Sequence, residues 1–196
     1  MTASSPPQPQ PGISRMVRVA ASLAVAMAII LGAWFISGRE GINDLGKAGM
    51  NYSALPAVGS QAPDFAVPDG DGTIHTLSEY RGQPVWINFW GSWCPPWRAE
   101  MPDTEAAYEA LQPQGVVLLA ISRRESTADA VNFAALNHAT FPILSDPLET
   151  LTGQTYPLAN FPTHIFVNRD GTIAHIVMSP LSEAQAIAYA QDIIDS

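Results

Sequence analysis

Apolar positions along the chain fall into three patterns, and each predicts a different element. The first is an unbroken run: Val19 to Ile36 is 18 residues without a charge. As a helix it would span about 27 Å, close to a hydrocarbon core of about 30 Å. With its flanks it predicts a single transmembrane anchor over residues 16–37. A cleaved signal peptide is the alternative, but the run is long for one and its Ala-x-Ala patterns, Ala24 to Ala28, lie inside it instead of after it. The second pattern is the short continuous apolar run rich in β-formers. Pro84 to Phe89 and Val116 to Ile121 predict strands, the second of them buried on both faces, with further strands at Phe141–Leu144, Phe161–Val167 and Thr172–Met178. The third is helical spacing. Met101, Tyr108 and Leu111 follow one another on such a face, as do Ala130, Phe133, Ala134 and Asn137, and Ile187, Ala190 and Ile194. Ser126 is a candidate N-cap, and Ser182-Glu-Ala-Gln185 a capping box. Leu77–Tyr80 predicts a helical turn and Leu148–Thr155 a short helix.

Turn residues punctuate these elements. Pro68-Asp-Gly-Asp-Gly72 predicts a hairpin loop between Phe65–Val67 and Thr73–His75, and Asp170-Gly171 a second hairpin. Strand, helix, strand through residues 84 to 121 implies a parallel, right-handed crossover. The chain therefore divides into a Pro-, Gln- and Ser-rich tail over 1–15 predicted to be disordered, the anchor over 16–37, a linker over 38–57 and one α/β domain over 58–196. Arg15 and Arg18 precede the anchor while Arg39 and Lys47 follow it, so loop charge alone leaves its orientation undecided.

Charge then narrows the partners. From residue 51 onward there are 16 acidic side chains against five arginines and no lysine, which argues against nucleic acid and anionic lipid. Cys94 is the only cysteine. An internal disulfide framework is thereby excluded and a thiolate metal cluster disfavoured. His75, His138, His164 and His175 show no metal-ligand spacing and are read as structural. No metal and no cofactor is expected.

The chemistry concentrates in Trp90-Gly-Ser-Trp-Cys-Pro-Pro-Trp-Arg-Ala-Glu-Met-Pro102. Here a predicted strand hands over to a helix N-terminus, where unpaired N–H groups and the macrodipole favour a thiolate over a thiol. Pro95 and Pro96 suit a first turn, which needs no N–H. This stretch resembles the active site of membrane-anchored thiol:disulfide oxidoreductases of the TlpA/ResA kind, with a thioredoxin-like fold. Trp93, Cys94, Arg98, Glu100 and Pro102 match the family pattern Trp-Cys-x-x-Cys-Arg/Lys-x-Glu-x-Pro, while Trp97 stands where the second cysteine belongs. Phe161-Pro162-Thr163 is a second match. The resemblance implies a cis Pro162 facing Cys94 and a groove formed by Trp93, Pro95, Pro96, Trp97, Phe161, Pro162 and Thr163. It implies a mixed sheet with helices on both faces, and it orients the anchor in the cytoplasmic membrane with the domain on the periplasmic side. Glu100 is either close to the thiol, as in the family, or an exposed acid of the first turn. Arg98 is read as solvated and Trp90 as core. The entry segment Val58 to Phe65 also resembles peroxiredoxins, but their Pro and Thr/Ser seven and three residues before the cysteine are Ile87 and Gly91 here.

The expected function is thiol-disulfide exchange through Cys94, with Glu100 assisting, on an extracytoplasmic protein or small-molecule thiol or disulfide, with an external thiol as reductant. The alternatives are a thioredoxin-fold module that has lost catalysis and binds a peptide or partner protein, and a scaffold in which Cys94 is inert.

Overall fold

The computed structural model describes residues 17, 19–25, 27 and 56–196. The tail, most of the anchor and nearly all of the linker lie outside the described residues. Residues 17, 19–25 and 27 are helical. Among the described residues no helix is long and apolar enough to cross a membrane.

From residue 56 the elements run β1 (Ala66–Pro68), β2 (Ile74–Thr76), β3 (Val85–Trp90), α1 (Pro95–Leu111), β4 (Val117–Arg123), α2 (Thr127–Leu136), β5 (Ile143–Asp146), β6 (Thr163–Val167), β7 (Ile173–Val177) and α3 (Glu183–Ile194). Five strands form a mixed sheet in the order β5-β4-β3-β6-β7. β4 pairs parallel with both β3 and β5, while β6 runs antiparallel to β3 and β7. β3 is central and buried throughout, which is why its sequence reads as an apolar run, broken only by the buried Asn88, instead of an alternation.

Alternate residues of β3 enter two separate cores. Trp86 and Trp90 pack under α1, α2 and α3 with Trp97, Met101, Ala130 and Ala190. Val85, Ile87 and Phe89 pack on the other face with Phe65, Val67, Tyr156 and Leu158. That second core holds no residue of α1, α2 or α3, so the expectation of helices on both faces is corrected. The β1–β2 hairpin, the 3-10 turn Leu77–Tyr80 and the segment around Tyr156 do the covering instead, and the Tyr156 hydroxyl donates to the Pro63 carbonyl at 2.6 Å.

Helix starts follow their caps. Ser126 Oγ accepts from the Asp129 N–H at 3.1 Å, and Gln185 Oε1 accepts from the Ser182 N–H at 3.0 Å. The helix expected over 148–155 does not form. Asp146 takes the N–H groups of Leu151 and Thr152 at 3.3 and 2.8 Å, and Glu149 adopts a left-handed φ of 55°. A side chain that captures these donors leaves turns in place of a helix.

Three loop aspartates carry a pH dependence. Hydrogen bonding by His75 holds the Asp69 carboxyl below the usual range, and the Thr172 hydroxyl and N–H do the same for Asp170. At Asp64 burial pushes upward but is outweighed by bonds from Ser78, Phe65 and Leu77. Lowered folded values mean that the associated stability is present above the unfolded value near about 4 and lost as pH falls through the folded ones. The urea midpoint should therefore drop between about pH 5 and pH 2. A flat midpoint across that window would contradict these contacts.

Candidate active site

Cys94 is the N-cap of α1, with φ −91° and ψ 108°. Its N–H donates to the Gly91 carbonyl at 3.0 Å and its carbonyl accepts the Arg98 N–H at 3.1 Å, so Gly91 to Cys94 is a tight turn leading into the helix. Pro95 and Pro96 fill the first helical positions without costing a hydrogen bond. The Cys94 side chain faces inward and is 5% exposed. Its Sγ donates to the Phe161 carbonyl at 3.2 Å. The Phe161–Pro162 peptide is cis, and β6 begins at the next residue. Two segments far apart in sequence therefore meet at one sulfur.

Phe161 is gripped from several sides. The Trp93 ring meets it edge-on at 5.4 Å, and the guanidinium groups of Arg123 and Arg124 lie 6.0 and 5.1 Å from its centroid. Trp93 is 44% exposed, and its indole N–H donates to the Arg123 carbonyl at 2.9 Å. Gly91 permits this, since a Cβ there would lie 2.3 Å from the Trp93 indole nitrogen. The loop is tied down next door, where the Ser92 N–H donates to Glu125 at 2.8 Å, the Ser92 hydroxyl also reaches that carboxylate, and Ser122 Oγ lies 2.5 Å from it. Arg124, with a left-handed φ of 62°, lines open grooves on two sides: one with Trp93, Phe133 and Leu136, the other with Glu149, Pro157 and Leu158.

Trp97 differs from its expected place on the groove. It is fully buried and packs on Trp90 at 5.2 Å between ring centroids. The third position of α1 points toward the sheet, so the side chain that replaces a second cysteine fills core. Pro95 and Pro96 are exposed, whereas Pro162 and Thr163 are buried and the Thr163 hydroxyl donates to the Asn160 carbonyl at 2.7 Å. Arg98 is exposed and lies over the Phe133 ring at 5.6 Å.

Glu100 is 3% exposed, which removes the reading of a solvated acid. Its Oε1 accepts the Leu181 N–H at 3.0 Å and lies 3.0 Å from His164 Nε2. His164 Nδ1 in turn accepts from the Trp86 indole at 3.2 Å. Sequence reasoning read His164 as structural and gave it no part in the site, although a lone imidazole in the strand Thr163–Val167, buried throughout, was a usable signal. It also passed over Arg123 and Arg124, whose doubling at a strand end was another. Among the described residues no group of three or more His, Cys, Asp or Glu side chains is disposed to hold a metal.

Residues 58–176 match the model of the AhpC/TSA family. The chain is 36% identical over 127 residues to the thiol-disulfide oxidoreductase ResA of Geobacillus thermodenitrificans, covering 65% of this chain and 72% of that protein. It is 30% identical over 131 residues to ResA of Bacillus subtilis, covering 67% and 73%. Among solved structures, a secreted thiol-disulfide isomerase from Corynebacterium glutamicum superposes with a TM-score of 0.63 at 27% identity, covering 69% of this chain and 86% of that one.

Proposed function

The chain belongs to the AhpC/TSA family, and from that membership and the setting of its one thiol we propose that it is a thiol-disulfide oxidoreductase working through Cys94 alone. The observation that carries the reading is the meeting of the N-cap sulfur with the Phe161 carbonyl at 3.2 Å, one residue before the cis Pro162. A thiolate at a helix N-terminus is the attacking form in exchange. Its sulfur bonds to one sulfur of an incoming disulfide, and the other sulfur leaves as a thiolate. A free thiol from solution then attacks the mixed disulfide, forming a new disulfide and returning Cys94 as thiolate. Glu100 assists from behind the helix. Trp93, Pro95, Pro96 and Phe161 border the approach, with Pro162 and Thr163 behind them. Ile87 and Gly91 stand where a peroxidase of this family would need Pro and Thr or Ser, so peroxide is not the proposed substrate.

The domain is proposed to act outside the cytoplasm, held to the membrane by residues 16–37 beyond a cytoplasmic tail over 1–15 and followed by a linker over 38–57. The uncharged run and the secreted relative from Corynebacterium support this. Retention of the full-length protein in carbonate-washed membranes is the expected result; release into the wash would count against the anchor.

A binding module with lost catalysis is the second reading, favoured by the 5% exposure of Cys94 and the burial of Trp97. A direct assay separates the two. The reduced, folded protein should form a mixed disulfide with an aromatic disulfide reagent, visible by mass, and dithiothreitol should reverse it. Cys94→Ser should form none. A wild-type protein that reacts only after unfolding would sink the redox reading.

A further inference from the structure

We propose that His164 is a positioning residue for Cys94: a single tautomer of its ring holds the Glu100 carboxylate and so clasps α1 to β6. The Trp86 indole can only donate. His164 Nδ1, 3.2 Å from it, is therefore the acceptor, and the ring proton sits on Nε2. Nε2 lies 3.0 Å from Glu100 Oε1, with side-chain exposures of 0% and 1%. The approach is out of line for a hydrogen bond, so the attraction is between the N–H dipole and the carboxylate, undiluted by solvent. The Leu181 N–H fixes the same oxygen at 3.0 Å.

These contacts join two elements that begin at the thiol. Glu100 stands on α1, whose N-cap is Cys94; His164 stands on β6, two residues after Pro162 and three after the carbonyl that accepts Sγ–H. Cys94, α1, Glu100, His164, β6 and Phe161 thus form a closed ring of contacts. Cutting it at His164 loosens the Cys94–Phe161 contact at the opposite side. Glutamine can accept from Trp86 and donate to Glu100, whereas phenylalanine keeps the volume and can do neither.

The inference rests on the redox reading only for why the Cys94–Phe161 contact matters, and two measurements keep them apart. Nitrogen-15 spectra of the imidazole should show His164 protonated on Nε2 in the wild type, with the preference lost in Trp86→Phe. Alkylation of Cys94 by iodoacetamide should be about tenfold faster in His164→Phe, which removes the buried Trp86–His164 hydrogen bond together with the Nε2–Glu100 contact. His164→Gln should stay close to the wild type. A proton on Nδ1, or equal alkylation in folded His164→Phe and wild type, would overturn the clasp. If His164→Phe does not fold, the tautomer in wild type and Trp86→Phe decides alone. Failure of the wild type to form a mixed disulfide would remove the redox reading and leave the tautomer result standing.

Discussion

Trp97→Cys should turn the protein into a reductant of insulin disulfides, with a rate at least about a hundredfold above that of the wild type. The substitution places a second sulfur one turn after Cys94, and residues three apart on a helix lie roughly 5 Å apart, within the span a disulfide bridges. Release of the mixed disulfide becomes intramolecular. Effective molarities of well-oriented groups reach about 10⁵ M and above, so a hundredfold gain asks for a small part of the available effect. The same change empties the space that Trp97 fills against Trp90. Loss of a buried tryptophan costs about 3 to 5 kcal/mol, so folding is checked first by circular dichroism and urea titration. A folded Trp97→Cys protein without turnover would mean that the surroundings of Cys94 no longer admit a substrate disulfide.

Arg123→Ala should cost about 3 kcal/mol, at the low end for breaking a buried ion pair. Arg123 is 1% exposed, sits 5.3 Å over the Phe89 ring, donates to the Tyr156 carbonyl at 3.2 Å and has Nε 3.3 Å from Glu149. Burial lowers its pKa, and Glu149 and Asp146 oppose that, so these partners are what keep a cation in the core. The low end applies because Glu149 is 27% exposed and keeps Arg124 at 3.1 Å. Function should respond too. Phe161 loses one of its two guanidinium neighbours, and Cys94 beneath its carbonyl should alkylate faster. An unfolding free energy from urea titration within about 0.5 kcal/mol of the wild type, the range of an ordinary surface substitution, would show that the stack carries no weight.

Much of the sheet was legible in advance because burial on both faces writes itself as apolar runs, as at β3 and β4. The starts of α2 and α3 were legible because Ser126 and Ser182 do local work that needs no knowledge of the fold. What escaped depends on distant partners. Asp146 dismantles a plausible helix by reaching the N–H groups of Leu151 and Thr152, and no spacing announces that. Trp97 was read from the motif as lining a surface, while the direction of the third helical position sends it into the core. Glu100 could be solvated or buried until α3's leading loop and β6 were in place, since its partners Leu181 and His164 are remote in sequence. The Cys94–Phe161 meeting was implied by resemblance alone.

The burial of Trp97 also bears on how this site can change over generations. Tryptophan and cysteine codons differ only in their third base, so a single nucleotide separates the one-thiol protein from a Cys-Pro-Pro-Cys sequence. With Trp97 on the surface, that mutation would be nearly free and a lineage could drift either way. Packed against Trp90 in the main core, the indole makes the same step cost stability at the moment it supplies the second thiol. Substitutions around Trp90 or Met101 that refill the space would offset that cost, so the core itself sets the terms on which this site can gain a second thiol.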